Sequence, residues 1–122
     1  MLITLIFGCA SSLQAIWDGT CSFADHSQSK DIDITADVRK DNGYNLDGEM
    51  VIVDYDDLEY RSNLNGEHSG KYVSMRSDIE TGTGLYRFQM EVVRVGSRLE
   101  GECYIKSPDS PGGLQGYIEL DR

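Results

Sequence analysis

Five times along this chain an apolar residue is followed, one position later, by a glycine: Trp17-Asp18-Gly19, Leu46-Asp47-Gly48, Leu64-Asn65-Gly66, Leu99-Glu100-Gly101 and Leu114-Gln115-Gly116. Each unit lies in a stretch that alternates apolar and polar residues, so the glycine shares a face with its apolar partner. Glycine inside a strand gives up packing and chain order unless geometry demands it. A small barrel makes that demand, because its strands bend and coil sharply where no inward side chain fits.

The alternation runs from residue 15 to the end, and no long stretch carries apolar residues at i, i+3, i+4 and i+7. Eight inward series emerge. They begin at Trp17, Ile32, Tyr44, Leu58, Val73, Tyr86, Leu99 and Leu114, and short turns such as Asp41-Asn42-Gly43 and Gly96-Ser97 separate several of them. One clean apolar face per strand means antiparallel sheet. Eight meandering strands remove their edges most economically by closing. The expected fold is therefore all-β, an antiparallel up-and-down eight-stranded barrel over residues 15–122. A two-sheet β-sandwich is the alternative.

Residues 1–8 are uncharged and nearly all apolar, and Cys9-Ala10-Ser11-Ser12 follow. Ile6, Phe7 and Gly8 before Cys9 resemble the signal of a bacterial lipoprotein. The resemblance implies a signal-peptide tail over 1–8, a lipidated Cys9, and a tether over 9–14. It also implies a cell-envelope address, at the outer membrane where one exists, since Ala10 rather than Asp follows the cysteine. Eight apolar residues are too few for a spanning helix, which needs about 20.

Three cysteines are an odd number for an exported chain. Acylating Cys9 leaves Cys21 and Cys103 as a pair in an oxidising compartment. They stand on the first and seventh strands, which are not neighbours in an eight-stranded meander. Strands lie about 4.8 Å apart, whereas bridged Cα atoms lie at most about 6.8 Å apart. Either the bridge crosses the interior, or the strand count is off by one, or the thiols stay reduced.

With 21 acidic against 11 basic residues the formal charge is −10. That excludes a nucleic-acid partner, which needs a basic footprint, and permits a basic protein partner. His26 and His68 fall in polar stretches without a second ligand at metal spacing, and no nucleophile elbow, P-loop or dinucleotide fingerprint occurs. No enzyme activity and no cofactor are expected. Asp54, Asp56, Asp57 and Glu59 are a weak candidate for calcium, with no EF-hand spacing. They read better as a solvated turn. Tyr55, Tyr72, Tyr104 and Tyr117 are candidates for an exposed binding surface.

Two family resemblances accompany this reading. Trp17-x-Gly19 on a first strand, followed by an eight-stranded meander, is similar at the level of pattern to the lipocalin and avidin barrels, which implies a small-ligand carrier. Ser69-Gly70-Lys71-Tyr72 is faintly similar to the serine-glycine loop of bacterial lysozyme inhibitors, which implies blocking of a basic enzyme. The leading expectation is a non-catalytic envelope lipoprotein, anchored to the membrane by lipid, whose barrel binds a macromolecule or is structural. The carrier and the inhibitor are the alternatives.

Overall fold

The computed structural model describes residues 12–23, 31–54, 57–82, 84–108 and 110–122. Cys9, His26, Tyr55 and Asp56 lie outside them. Eight strands follow one another: β1 (Ala15–Phe23), β2 (Asp31–Asp41), β3 (Asn45–Val53), β4 (Glu59–Ser69), β5 (Tyr72–Thr81), β6 (Gly84–Val95), β7 (Arg98–Ser107) and β8 (Ser110–Asp121). Every strand pairs antiparallel with its sequence neighbour, and β8 pairs with β1 to close the barrel. The described residues contain no helix.

The inward faces of all eight strands fill one core. Trp17, Met50, Met75, Phe88, Met90 and Leu120 are among its fully buried members. The five repeated glycines sit on that face, and each meets the backbone of an adjoining strand. A β-carbon on Gly19 would strike the Glu119 carbonyl, one on Gly48 that of Asp37, one on Gly66 that of Ser74, and one on Gly101 that of Glu91. The coiled wall tolerates only hydrogen at these points.

The disulfide Cys21–Cys103 forms, with its Cα atoms 6.2 Å apart. Of the three possibilities, the bridge crosses the interior. Cys21 lies opposite Ile118 and Cys103 opposite Gly116, so the two sulfurs reach each other over the inner face of β8. In a flat sheet two strand spacings amount to about 9.6 Å. Curvature shortens that span. It is steep here because position 116 is glycine, where a β-carbon would lie 2.5 Å from the Ser22 carbonyl oxygen and 2.9 Å from Phe23 Cδ1.

Two inward expectations shift at strand ends. Tyr44 belongs to the β2–β3 turn and is 58% exposed, and Leu58 precedes β4 and is 54% exposed. Alternation continues a face only as far as the pairing that enforces it.

Candidate functional site

The two ends of the barrel differ. At one end the chain entering β1 forms a plug. Leu13, in the segment expected as tether, is fully buried, and its carbonyl accepts a 2.9 Å hydrogen bond from Trp17 Nε1. The Leu13 amide donates to Asp41 Oδ2 at 2.7 Å. Asp41 Oδ1 takes the Gly43 amide at 2.8 Å and His68 Nε2 at 2.8 Å. The Asp41 and His68 side chains are 2% and 5% exposed. Burial pushes the Asp41 carboxyl up, but the Leu13 and Gly43 amides and His68 outweigh it and hold the group below the ordinary carboxylate range.

Over the same end, Arg94 Nη1 donates to the Ser12 carbonyl at 2.9 Å. The guanidinium carbons of Arg94 and Arg122 lie 5.7 and 5.4 Å from the Trp17 ring centre, within cation–π reach. Burial and the charge of Arg122 lower the Arg94 pKa. All these groups are spent on the plug.

The opposite end holds a cavity of about 270 Å³. Phe23, Tyr60, Tyr86 and Phe88 contribute four aromatic rings, and Ile52, Ile79 and Ile105 much of the aliphatic wall. Asp54, Thr81 and Ser107 stand among the lining residues as polar groups. The disulfide lies one inward position below Phe23 on β1 and below Ile105 on β7, so it ties the wall directly beneath the cavity.

One seam borders this cavity. The β4–β5 ladder runs only from Ser69–Tyr72 to Asn65–Arg76. Toward the open end, β4 continues paired to β3 alone and β5 to β6 alone. Ser77 closes the seam with side-chain bonds in place of ladder bonds. Its hydroxyl donates to the Asn63 carbonyl at 2.6 Å and contacts the Ser62 hydroxyl. Tyr60 and Ile79, on either side of the seam, line the cavity.

The structure disperses the other candidate residues. Asp54 Oδ1 accepts the Leu58 amide at 3.0 Å, Asp57 occupies the turn at φ 63°, and Glu59 pairs with Arg61 at 2.9 Å. Among the described residues no three His, Cys, Asp or Glu side chains gather as a metal would require. Tyr104 and Tyr117 share the outer face of β7 and β8, where their hydroxyls donate to Glu102 and Glu119. Tyr72 stands on β5, 62% exposed, in the turn from Ser69 with Lys71 5.6 Å from its ring centre. The described tyrosines therefore do not form one patch.

Fold and site together define a closed, eight-stranded antiparallel barrel that is plugged at one end and hollow at the other. Neither a protein-family model nor a curated protein matches the sequence. Among solved structures, that of EF1p2_mFAP2b bound to DFHBI is similar, with a TM-score of 0.73. The match covers 90% of this chain and 93% of that one, at 10% sequence identity. The likeness is one of fold.

Proposed function

We propose that this chain is a non-catalytic, exported binding protein that holds one small apolar ligand in the open end of its barrel. The carrying observation is the asymmetry of the ends. Leu13, Trp17 and Asp41–His68 fill one end, while four aromatic rings surround open volume at the other. Apolar concavities with a few polar groups are the usual form of small-molecule sites. The buried Asp41–His68 pair, the arrangement most like catalytic machinery, is occupied in holding the Leu13 amide. EF1p2_mFAP2b, a barrel of similar fold, is bound to DFHBI, which agrees with this reading.

The test is a fluorescence titration with N-phenyl-1-naphthylamine, a neutral apolar dye. The expected result is saturable one-to-one enhancement that Ile105→Trp abolishes while the β-sheet circular dichroism persists. Ile79→Trp serves if Ile105→Trp fails to fold. No saturable binding, or binding indifferent to both substitutions, overturns the proposal.

Export and lipid anchoring belong to the same reading. They are supported by the signal-like residues 1–8 before Cys9 and by a disulfide, which persists in oxidising compartments. The intact mass of membrane-extracted protein should show a chain beginning at acylated Cys9. An unlipidated chain still carrying Met1 overturns that part.

A further inference from the structure

We infer that the ligand reaches the cavity sideways, through the β4–β5 seam, and that Ser77 is the latch of this gate. The inference rests on the binding role proposed above and names how that site is filled and emptied.

Entry needs the wall to move. Phe23, Ile32, Ile52 and Ile79 line the cavity, yet each is only 4–6% exposed, and Phe88 is fully buried. A bulky apolar molecule does not slide past side chains that water itself scarcely reaches. A packed wall opens first where local opening costs least.

The seam is such a place. β3 and β4 stay paired as far as Val53–Glu59, and β5 and β6 as far as Thr81–Gly84. The β4–β5 ladder ends at Asn65–Arg76. Beyond that point the two hairpins can part without breaking a ladder bond of either. The surface charges follow the same division. Arg61 on β4 pairs with Glu49 on β3 at 3.2 Å, and Arg87 on β6 pairs with Asp78 on β5 at 2.8 Å. Arg76 and Glu67, by contrast, join β5 to β4, with Nη1 3.0 Å from Oε1. This clamp stands where the strands diverge and makes the hinge. Across the barrel the disulfide ties β1 to β7, which holds that side of the wall still.

Ser77 holds the gate shut. It is 3% exposed, its hydroxyl donates to the Asn63 carbonyl at 2.6 Å, and it contacts the Ser62 hydroxyl. Such groups exchange one another for water when the banks separate, so the net cost of opening is modest. Tyr60 stands on one bank and Ile79 on the other, and both line the cavity. Parting the banks therefore opens directly into it. Neither serine is a lining residue, so the latch and the binding wall can be altered separately.

The test is stopped-flow fluorescence of N-phenyl-1-naphthylamine binding to the full chain. A latch is closed in both the free and the bound protein, so altering it changes association and dissociation rates by one factor and leaves Kd alone. Ser77→Ala should raise both rates about fivefold, as loss of one such hydrogen bond does to an opening equilibrium. Ser62→Cys with Ser77→Cys places two sulfurs where the hydroxyls touch. The resulting link, verified by the mass of proteolytic fragments, should slow both rates by about tenfold or more while Kd stays within about twofold. Unchanged rates in the linked protein overturn the gate, assign entry to the end of the barrel, and leave the binding role standing. A changed Kd at an unchanged association rate also overturns it, because Ser77 would then belong to the binding wall. If the double variant fails to fold or to link, Ser77→Ala decides alone, with equal acceleration of both rates for the gate and unchanged rates against it. Failure of the wild-type protein to bind the dye overturns both readings.

Discussion

His68 Nε2 lies 2.8 Å from Asp41 Oδ1 inside the plugged end of the barrel. A carboxylate held below the ordinary range cannot donate, so the imidazole nitrogen facing it carries the proton. The pair joins β4 to the end of β2, and the second carboxylate oxygen reaches the Leu13 amide. One side chain thus fastens the entering chain, a turn and a strand.

Asp41→Asn should destabilise the protein by about 1–3 kcal/mol at neutral pH, because an amide puts a donor against groups that themselves donate. The pH dependence has a definite sign. The folded pKa is depressed, so the carboxylate's contribution is complete above the unfolded value of about 3.9 and is lost as pH falls through the folded value. Denaturant melts of wild type and Asp41→Asn should differ most above about pH 4 and converge in stronger acid. Trp17 is the one tryptophan and lies under the plug, so its emission should shift to the red early in the variant's melt. A constant difference across the acid range would remove the assignment to Asp41.

Glycines separate into two kinds. At Gly48 a β-carbon would collide with the Asp37 backbone, whereas at Gly82 it would meet nothing within 4 Å, and φ there is not positive. Gly48→Ala should cost about 3 kcal/mol, as overpacking against backbone does. Gly82→Ala should be neutral or stabilising by up to about 1 kcal/mol, through reduced freedom of the unfolded chain. Thermal melts of the two variants decide it, and similar melting temperatures would contradict the account of the inward glycines.

Ser77 replaces ladder bonds along the β4–β5 seam. Ser77→Ala should cost about 1–2 kcal/mol, since it leaves the Asn63 carbonyl without that donor. Amide hydrogen exchange should quicken on residues 59–64 and 77–81 well before the closed half of the same strands, because the seam would then open locally. Uniform acceleration of the whole barrel would show that Ser77 supports global stability alone.

Period-two alternation and inward glycines were enough to read the eight strands and their closure, because a half-buried strand must write its face into the sequence. The plug was harder to read. Straight alternation from Ile32 to Val38 turns Asp41 outward, but the register shifts between Val38 and Lys40, and the bulge brings Asp41 in opposite the buried Leu46. A bulge leaves little trace in one sequence. His68 did leave a signal, as the next inward position after Leu64 and Gly66, which its polar neighbours obscured. Phe23, Tyr60, Tyr86 and Phe88 were all legible as inward residues. That they border open volume was not, because it depends on Leu13 filling the other end.

The Cys21–Cys103 bridge closes a loop of 82 residues, so in the chain-entropy picture it should contribute about 4 kcal/mol. Reduction therefore should lower the melting temperature at least as far as the costliest single substitution above. The bridge also has a local effect, since it lies one inward position below Phe23 and Ile105, both of which line the cavity. Cys21→Ser with Cys103→Ser removes the tie between β1 and β7 and lets them part across β8. Two measurements separate the effects: the shift in melting temperature, and the affinity for a bound naphthalene probe at a temperature where both forms are folded. The expected outcome is a large loss of stability together with a several-fold loss of affinity. Loss of stability with unchanged affinity would mean that the cavity wall keeps its shape through the strand pairing of β8 with both neighbours, and that the bridge acts on the unfolded chain alone.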